Sequence, residues 1–270
     1  MRLFIEEIFR LPYKILINKN YRYYLYLLIK YGSQKRYEQK TIKFRKYKIT
    51  IADSRSFIAQ YRDIFVEEDY KFLCNSPNPI IIDAGSNIGI SILYFVENYK
   101  SSKIIGFEAD NKIFEILKSN IEQNRINNVE LINEAVWIHN EGVYFSSEGA
   151  DGSAIVSDKN SSNVASIKLS SFLMTFSKID LLKIDIEGAE IDVIKDCENS
   201  LLMVDNLFIE YHSFKDGQQS LSEILRVLEK NNFRYYIKEV NKRSAPFINK
   251  EKSSSEFMDV QLNIYGYKYK

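Results

Sequence analysis

The chain is short of the residues that punctuate or staple a protein. Four prolines and ten glycines in 270 residues leave no room for a low-complexity linker, and no repeat of solenoid period is present. Two widely spaced cysteines, Cys74 and Cys197, make neither a disulfide framework nor a zinc cluster. They read as reduced, partly buried thiols of a cytoplasmic protein. No apolar run reaches the ~18 residues a membrane span requires. Glu6 and Glu7 stand where a secretory signal would need an apolar stretch. Histidine is scarce too, with only His139 and His212, so the position of each carries weight.

What is present is ordinary globular material: 45% hydrophobic and 27% charged residues suffice for one large core with a small appendage. The net charge of +1 conceals an asymmetry. Thirteen basic residues against three acids put +10 on the first fifty positions and leave −9 on the rest. A basic leader on an acidic body implies that the two do different work or attract each other. Phe4, Ile8 and Leu11 repeat at helical spacing up to Pro12. Residues 20–31 predict a second helix, apolar nearly all round, with Asn20 as its cap. We expect a lid packed on the main domain. A basic-aromatic surface resting on an anionic membrane, at the inner face of the cytoplasm, is the second reading. Nucleic acid is not an expected partner, because no recognition motif accompanies the charge. Residues 41–52 alternate as a hairpin does. The breaker Asn75-Ser76-Pro77-Asn78-Pro79 divides the chain into an extension, 1–75, and a main domain, 76–270.

From residue 80 onward strands and helices alternate. Strands are predicted over 80–82, 103–107, 129–132, 179–184 and 207–210, and helices over 87–98, 111–124, 188–197 and 221–230. This is the pattern of an α/β fold with a doubly wound, mostly parallel sheet. Late strands at 233–237 and 260–265 extend it in antiparallel sense. A hairpin is predicted over 135–145, and a glycine-rich loop over 149–153.

The stretch Ile80-Ile81-Ile82-Asp83-Ala84-Gly85-Ser86-Asn87-Ile88-Gly89 is a buried strand, an acid, a glycine turn and a helix start. Ligands of such sheets bind outside the carboxyl ends of the strands. Gly85 and Gly89 allow close backbone approach, and a helix N-terminus offers N–H donors to a carboxylate. A nicotinamide-binding fingerprint would need glycine where Asn87 stands. Asp83 would also repel a pyrophosphate but attract an ammonium. The pairing suits a zwitterionic amino acid, such as the methionine part of S-adenosylmethionine. Glu108 ends the second strand, 25 residues after Asp83, where an acid accepts ribose hydroxyls. Asp110 reads as the cap of the next helix. Glu134 and Ala135 end the third strand and are expected at the adenine ring, whereas Trp137 reads as core. His139, in a turn, reads as surface.

In Asp180-Leu181-Leu182-Lys183-Ile184-Asp185-Ile186-Glu187-Gly188-Ala189-Glu190, the period of two puts Lys183, Asp185 and Glu187 together at a strand end. Three charges there cost desolvation unless they have partners or work. A mutually paired Lys183–Asp185 cluster is one reading and an active-site role the preferred one. His212 follows the next strand as candidate general base. Asp185 and Glu210, on adjacent strand ends, form a weak candidate pair for Mg²⁺.

Together these stretches resemble the FkbM family of methyltransferases, in the family's order over roughly residues 80–215; the run Lys183 to Glu190 is the most specific. The resemblance implies a Rossmann-like class I methyltransferase with a seven-stranded sheet, acting on sugars or natural products. It implies cofactor contacts from Asp83, Gly85 and Glu108, and a reaction centre lined by Asp185, Glu187 and His212. The expected reaction is in-line attack of an acceptor hydroxyl on the sulfonium methyl. His212 would remove the proton, oriented by Asp185 or Glu210, and a glycan or glycolipid precursor is the acceptor class favoured. A nicotinamide-dependent oxidoreductase and a non-catalytic nucleotide-binding module are the alternatives on this fold.

Overall fold

The computed structural model describes residues 15–146, 154–155, 162–240, 243–249 and 258–269. The helix read at Phe4–Leu11 and the glycine-rich loop at 149–153 lie outside the described residues. Helix α1 (Lys19–Tyr31) comes first. Its cap is Asn18, whose side chain accepts from the amides of Asn20 and Tyr21, so the start lies two residues before the expected Asn20. Strands β1 (Lys40–Phe44) and β2 (Tyr47–Ile51) pair as the expected hairpin. Helix α2 (Ser54–Tyr61) follows, capped by Asp53, and runs on into a π-helical turn at Arg62–Val66. Such turns concentrate at functional sites.

The central sheet then assembles from β3 (Ile80–Ala84), helix α3 (Ile90–Asn98), β4 (Lys103–Phe107), helix α4 (Asn111–Gln123) and β5 (Val129–Ile132). A small peripheral region holds β6 (Ala135–Trp137), β7 (Val143–Ser146), β8 (Ala154–Ile155), β9 (Ser162–Val164), β10 (Ser166–Lys168) and helix α5 (Leu169–Leu173). The main sheet resumes with β11 (Ile179–Ile184), helix α6 (Glu190–Asp196), β12 (Val204–Phe214), helix α7 (Leu221–Lys230), β13 (Arg234–Glu239) and β14 (Met258–Tyr267). Its seven strands run β13-β14-β12-β11-β3-β4-β5. The five from β12 to β5 are parallel, and β14 is antiparallel to both its neighbours. The hairpin expected over 135–145 does not form. Ala135–Trp137 pairs in parallel with β10, and β7 pairs with β8 and β9, because partners later in the chain satisfy both strands' hydrogen bonds.

Alternation along the strands divides the core between the sheet's two faces. Ile81, Ile104 and Leu181 face one apolar cluster, and Ile82, Ile105 and Leu182 the other. The first cluster continues without a break into Leu27, Phe44, Phe57, Tyr61 and Phe65. The leader is thereby fixed to one face of the sheet by stacked and edge-on rings, such as Phe65 against Tyr94 at 5.3 Å. Buried Asn120 adds a polar tie. It accepts the Thr50 amide at 2.7 Å and donates to the Thr50 and Ile88 carbonyls, both at 2.9 Å. Among the described residues no helix is long and apolar enough to cross a membrane.

The chain order turns back between β3 and β11. One half of the sheet grows outward through β4 and β5, the other through β12. This switch point is where ligands of doubly wound sheets bind.

Candidate active site

A cavity of about 450 Å³ opens at that switch point, within the range of small-molecule sites. Its binding wall is the loop after β3 together with the end of β4. Gly85, Ser86, Asn87 and Glu108 line it, and Glu134 and Ala135 join from beyond β5. Gly85 adopts φ +86°, and a Cβ on it would stand 1.8 Å from the Asp185 carbonyl oxygen. The glycine is thus required by the contact between the β3 loop and the end of β11. Asn87 sits at φ +47°, and its amide donates to Glu108 Oε2 at 2.9 Å. Glu108 Oε1 accepts the Asp110 amide at 2.9 Å, which leaves lone pairs on both oxygens for a ligand. Burial pushes its carboxyl up to about 7, against the two backbone donors.

Two expected cofactor contacts lie elsewhere. Asp83 is fully buried and absent from the cavity lining. It lies level with Lys183 in the β3–β11 register, 3.0 Å from that ammonium, and accepts the Ser91 hydroxyl at 2.5 Å. Its charge is used to hold Lys183, not a ligand's ammonium. Gly89 also stays off the lining. It caps α3 at φ +93°, and an added Cβ would stand 2.7 Å from Leu117 Cδ1, so it serves the packing of α3 on α4. The loop amides are committed internally as well. Those of Gly85 and Ser86 donate to the Phe107 carbonyl, and that of Ile88 to Asn87 Oδ1.

The reaction wall carries Asp185, Glu187 and Glu210, all lining the cavity. Lys183 Nζ lies behind Asp185 at 3.4 Å, donates to the Gly85 carbonyl at 2.8 Å and sits 5.8 Å from the Tyr70 ring. Burial opposes its charge, but Asp83 and Asp185 outweigh that and raise its pKa. Lys183 and Asp185 are therefore mutually paired, as one of the two readings has it, and both line the cavity. Glu187 occupies φ +54° and Gly188 φ +101°, a left-handed pair that turns the chain at the strand's mouth. Non-glycine residues held there concentrate at functional sites. Burial raises the Glu187 carboxyl well above its ordinary value, with His212 opposing, and burial followed by Glu210 raises Asp185.

His212 is 3% exposed and does not line the cavity. Its Nδ1 lies 3.1 Å from Glu190 Oε1, and its Nε2 lies 3.6 Å from both Glu187 and Glu210. Burial opposes a charged ring here, but these carboxylates outweigh it and lift the pKa well above the ordinary value. The residue expected as general base thus stands behind the lining, with both ring nitrogens turned to carboxylates of the protein. Glu190 is fully buried and also accepts the Gly188 amide at 2.9 Å, which fixes the turn that presents Glu187.

The donor set does not suit Mg²⁺. Asp185, Glu187 and His212 could bring ligand atoms within 4.8 Å of one another. A divalent cation there, or between Asp185 and Glu210, would meet the Lys183 ammonium 3.4 Å from Asp185. Of the other expected residues, Asp110 caps α4 as read, and Trp137 is half-buried with its indole N–H on His139 at 3.0 Å. The roof went unread: Arg36, Arg55, Arg62 and Tyr70 line the cavity, as does Gln261 from β14, which donates to Glu210. Only the 55/59/62 spacing along one helix face could have pointed to any of them.

The FkbM methyltransferase domain model matches residues 83–235. The chain is 25% identical over 189 residues to methyltransferase sdnD of Sordaria araneosa, covering 56% of this chain and 73% of that one. To methyltransferase 1 of Beauveria bassiana it is 23% identical over 177 residues, with 56% and 71% covered. An S-adenosylmethionine-dependent methyltransferase from Agrobacterium tumefaciens superposes with a TM-score of 0.51, over 88% of this chain and 72% of that one, at 10% identity; this likeness bears on the fold alone.

Proposed function

Because this chain belongs to the FkbM methyltransferase domain family and is an S-adenosylmethionine-dependent methyltransferase, we propose that it methylates a hydroxyl of a sugar, glycolipid or natural-product acceptor. The observation that carries this reading is the joining of two walls in one cavity. Glu108 and the Asn87 loop stand on one side, and the carboxylates of Asp185, Glu187 and Glu210 on the other.

The residues present fit the cofactor. Glu108, with free lone pairs, would hold the ribose, Glu134 and Ala135 the adenine, and Asp185, beside the Gly85 turn, the ammonium of the methionine part. Bound S-adenosylmethionine supplies an electrophilic methyl on a sulfonium, so the protein mainly aligns the partners. Such alignment is worth roughly 7–11 kcal/mol of barrier. Glu187 is the proton acceptor in this reading. Asp185 is engaged by Lys183, and Glu210 by Gln261, while among the described residues Glu187 is met only by the His212 ring, at 3.6 Å. His212 positions Glu187 and Glu210 from behind. Glu187 would receive the proton of the acceptor hydroxyl as its oxygen takes the methyl that bound S-adenosylmethionine would supply, the thioether being the leaving group. The extension, residues 1–75, supplies the roof of the acceptor side and the main domain, 76–270, the cofactor site.

Calorimetry with S-adenosylmethionine, with NAD in parallel and Glu108→Ala as control, tests the cofactor half. Binding of the sulfonium cofactor alone, lost in the variant, is expected; binding of NAD alone would overturn it. Product from a hydroxylated acceptor, carrying label from the methyl group, tests the oxygen. A peripheral contact with an anionic membrane is a second element of this reading. Ile29 and Leu16 are 85% and 76% exposed beside exposed Lys19, Arg22 and Lys30. Co-sedimentation with phosphatidylserine vesicles but not with neutral ones is the expected result.

A further inference from the structure

The roof of the cavity carries charge of the opposite sign to its reaction wall. Arg55, Ala59 and Arg62 follow one another at i, i+4 and i+7 along α2 and the turn that continues it, and all three line the cavity. Arg36 joins them from the segment after α1. Two of these guanidinium groups have internal partners. Arg36 Nε lies 2.8 Å from Asp53, and Arg62 forks onto Asp63 at 2.7 and 3.1 Å. Arg55 is exposed and has no partner among the described residues. Ala59, one turn on, leaves space beside it.

A free guanidinium facing a concave space between two others is suited to an oxyanion, because its planar fork matches carboxylate and phosphate oxygens in pairs. The opposite wall is unsuited to an anion, since Asp185, Glu187 and Glu210 crowd it and Lys183, which also lines the cavity, is held by Asp83 and Asp185. Nor does the β3 loop offer amides, those of Gly85, Ser86, Asn87 and Ile88 being committed within the protein. We propose that the α2 face bearing Arg55, flanked by Arg36 and Arg62, is the oxyanion site of this cavity. It takes a phosphate or carboxylate while the acids opposite handle the proton.

The proposal rests on the methyltransferase reading of the cavity, and the anion has two sources. It is either the carboxylate of the cofactor's methionine part or a phosphate or carboxylate on the acceptor. Calorimetry on the full chain and its Arg55→Ala variant separates them. Three probes are used: S-adenosylmethionine, 5′-methylthioadenosine (the nucleoside thioether, without the amino-acid chain and its carboxylate) and inorganic pyrophosphate added to protein saturated with S-adenosylhomocysteine. If the cofactor supplies the anion, Arg55→Ala weakens S-adenosylmethionine at least tenfold and leaves methylthioadenosine within twofold. If the acceptor supplies it, both nucleosides bind within twofold of wild type while pyrophosphate weakens at least tenfold. Exposed Lys43→Ala on the hairpin, away from the lining, leaves all three unchanged. The inference is overturned if Arg55→Ala alters none of the probes, if methylthioadenosine weakens as much as S-adenosylmethionine, or if Lys43→Ala weakens pyrophosphate equally. Failure of wild type to bind either nucleoside would instead defeat the methyltransferase reading, with the pyrophosphate arm still readable through direct titration of the free protein.

Discussion

The two walls of the cavity come from neighbouring parallel strands, yet they manage charge in opposite ways. On the binding wall, Glu108 is held by two backbone amides, of Asn87 in the loop after β3 and of Asp110 two residues on. On the reaction wall, acids are held by buried cations reaching from other strands. Lys183 bridges Asp83 and Asp185, and His212 sits among Glu187, Glu190 and Glu210. Backbone donors cannot titrate, so the first wall keeps a fixed shape around Glu108. Side-chain cations can be removed or neutralised, so the second wall is poised but depends on each member. Removing one member should therefore cost stability on the reaction wall and only affinity on the binding wall.

The sharpest break of this comparison is Lys183→Met. It leaves Asp83, fully buried, without its cation, and breaking a buried pair in this way costs about 3–5 kcal/mol. Denaturant unfolding measures the loss. The double variant Lys183→Met/Asp83→Asn should recover at least about 1 kcal/mol of it, as coupled partners do. A loss below about 1 kcal/mol in the single variant would mean that the ion pair contributes little, and the contrast between the walls would collapse.

Next in size is Glu187→Gln, which keeps the side chain's shape and removes the proton acceptor. Turnover should fall roughly 100-fold, at the lower end of general-base contributions, with the cofactor's Kd within twofold. Loss of affinity without loss of turnover would assign Glu187 to the binding wall.

How much of this could be read in advance follows the same division. The Gly85 turn, the acid closing β4 and the Asp110 cap were legible because each satisfies a local rule of backbone conformation or hydrogen bonding. Lys183, Asp185 and Glu187 were legible as a cluster because the strand period forces them together. What they bond to was not, since Asp83 lies 100 residues away and meets Lys183 only through strand register. For the same reason Asp83 reads as a ligand group in sequence and proves to be a buried counter-ion. His212 fails in the other direction. Its position at a strand end was readable, but its protonation is set by Glu190, placed by the turn at Gly188. The roof carried no signal beyond the 55/59/62 spacing, because Arg36, Arg55 and Arg62 become neighbours of the cavity only when the ring cluster of the leader packs on α3.

The smallest effect probes the charge of Glu108 on the binding wall. Burial holds the Glu108 carboxyl up at about 7, above its ordinary 4.5. The folded protein therefore binds this proton more tightly than the unfolded chain does. The stabilisation is fully present below about pH 4.5 and is lost as pH rises through 7. The free protein should accordingly lose thermal stability between about pH 5 and 8 by whatever share this group contributes. Cofactor affinity should run the other way. The ionised carboxylate is the stronger acceptor for ribose hydroxyls, by about 1.5 kcal/mol, so binding should tighten roughly tenfold over the same window. Glu108→Gln removes the titration and should flatten both trends while weakening binding at pH 8. Slopes of the same sign in the wild type, or an unchanged pH dependence of affinity in Glu108→Gln, would place the titrating group on the reaction wall, where Asp185 and Glu187 also sit above their ordinary range.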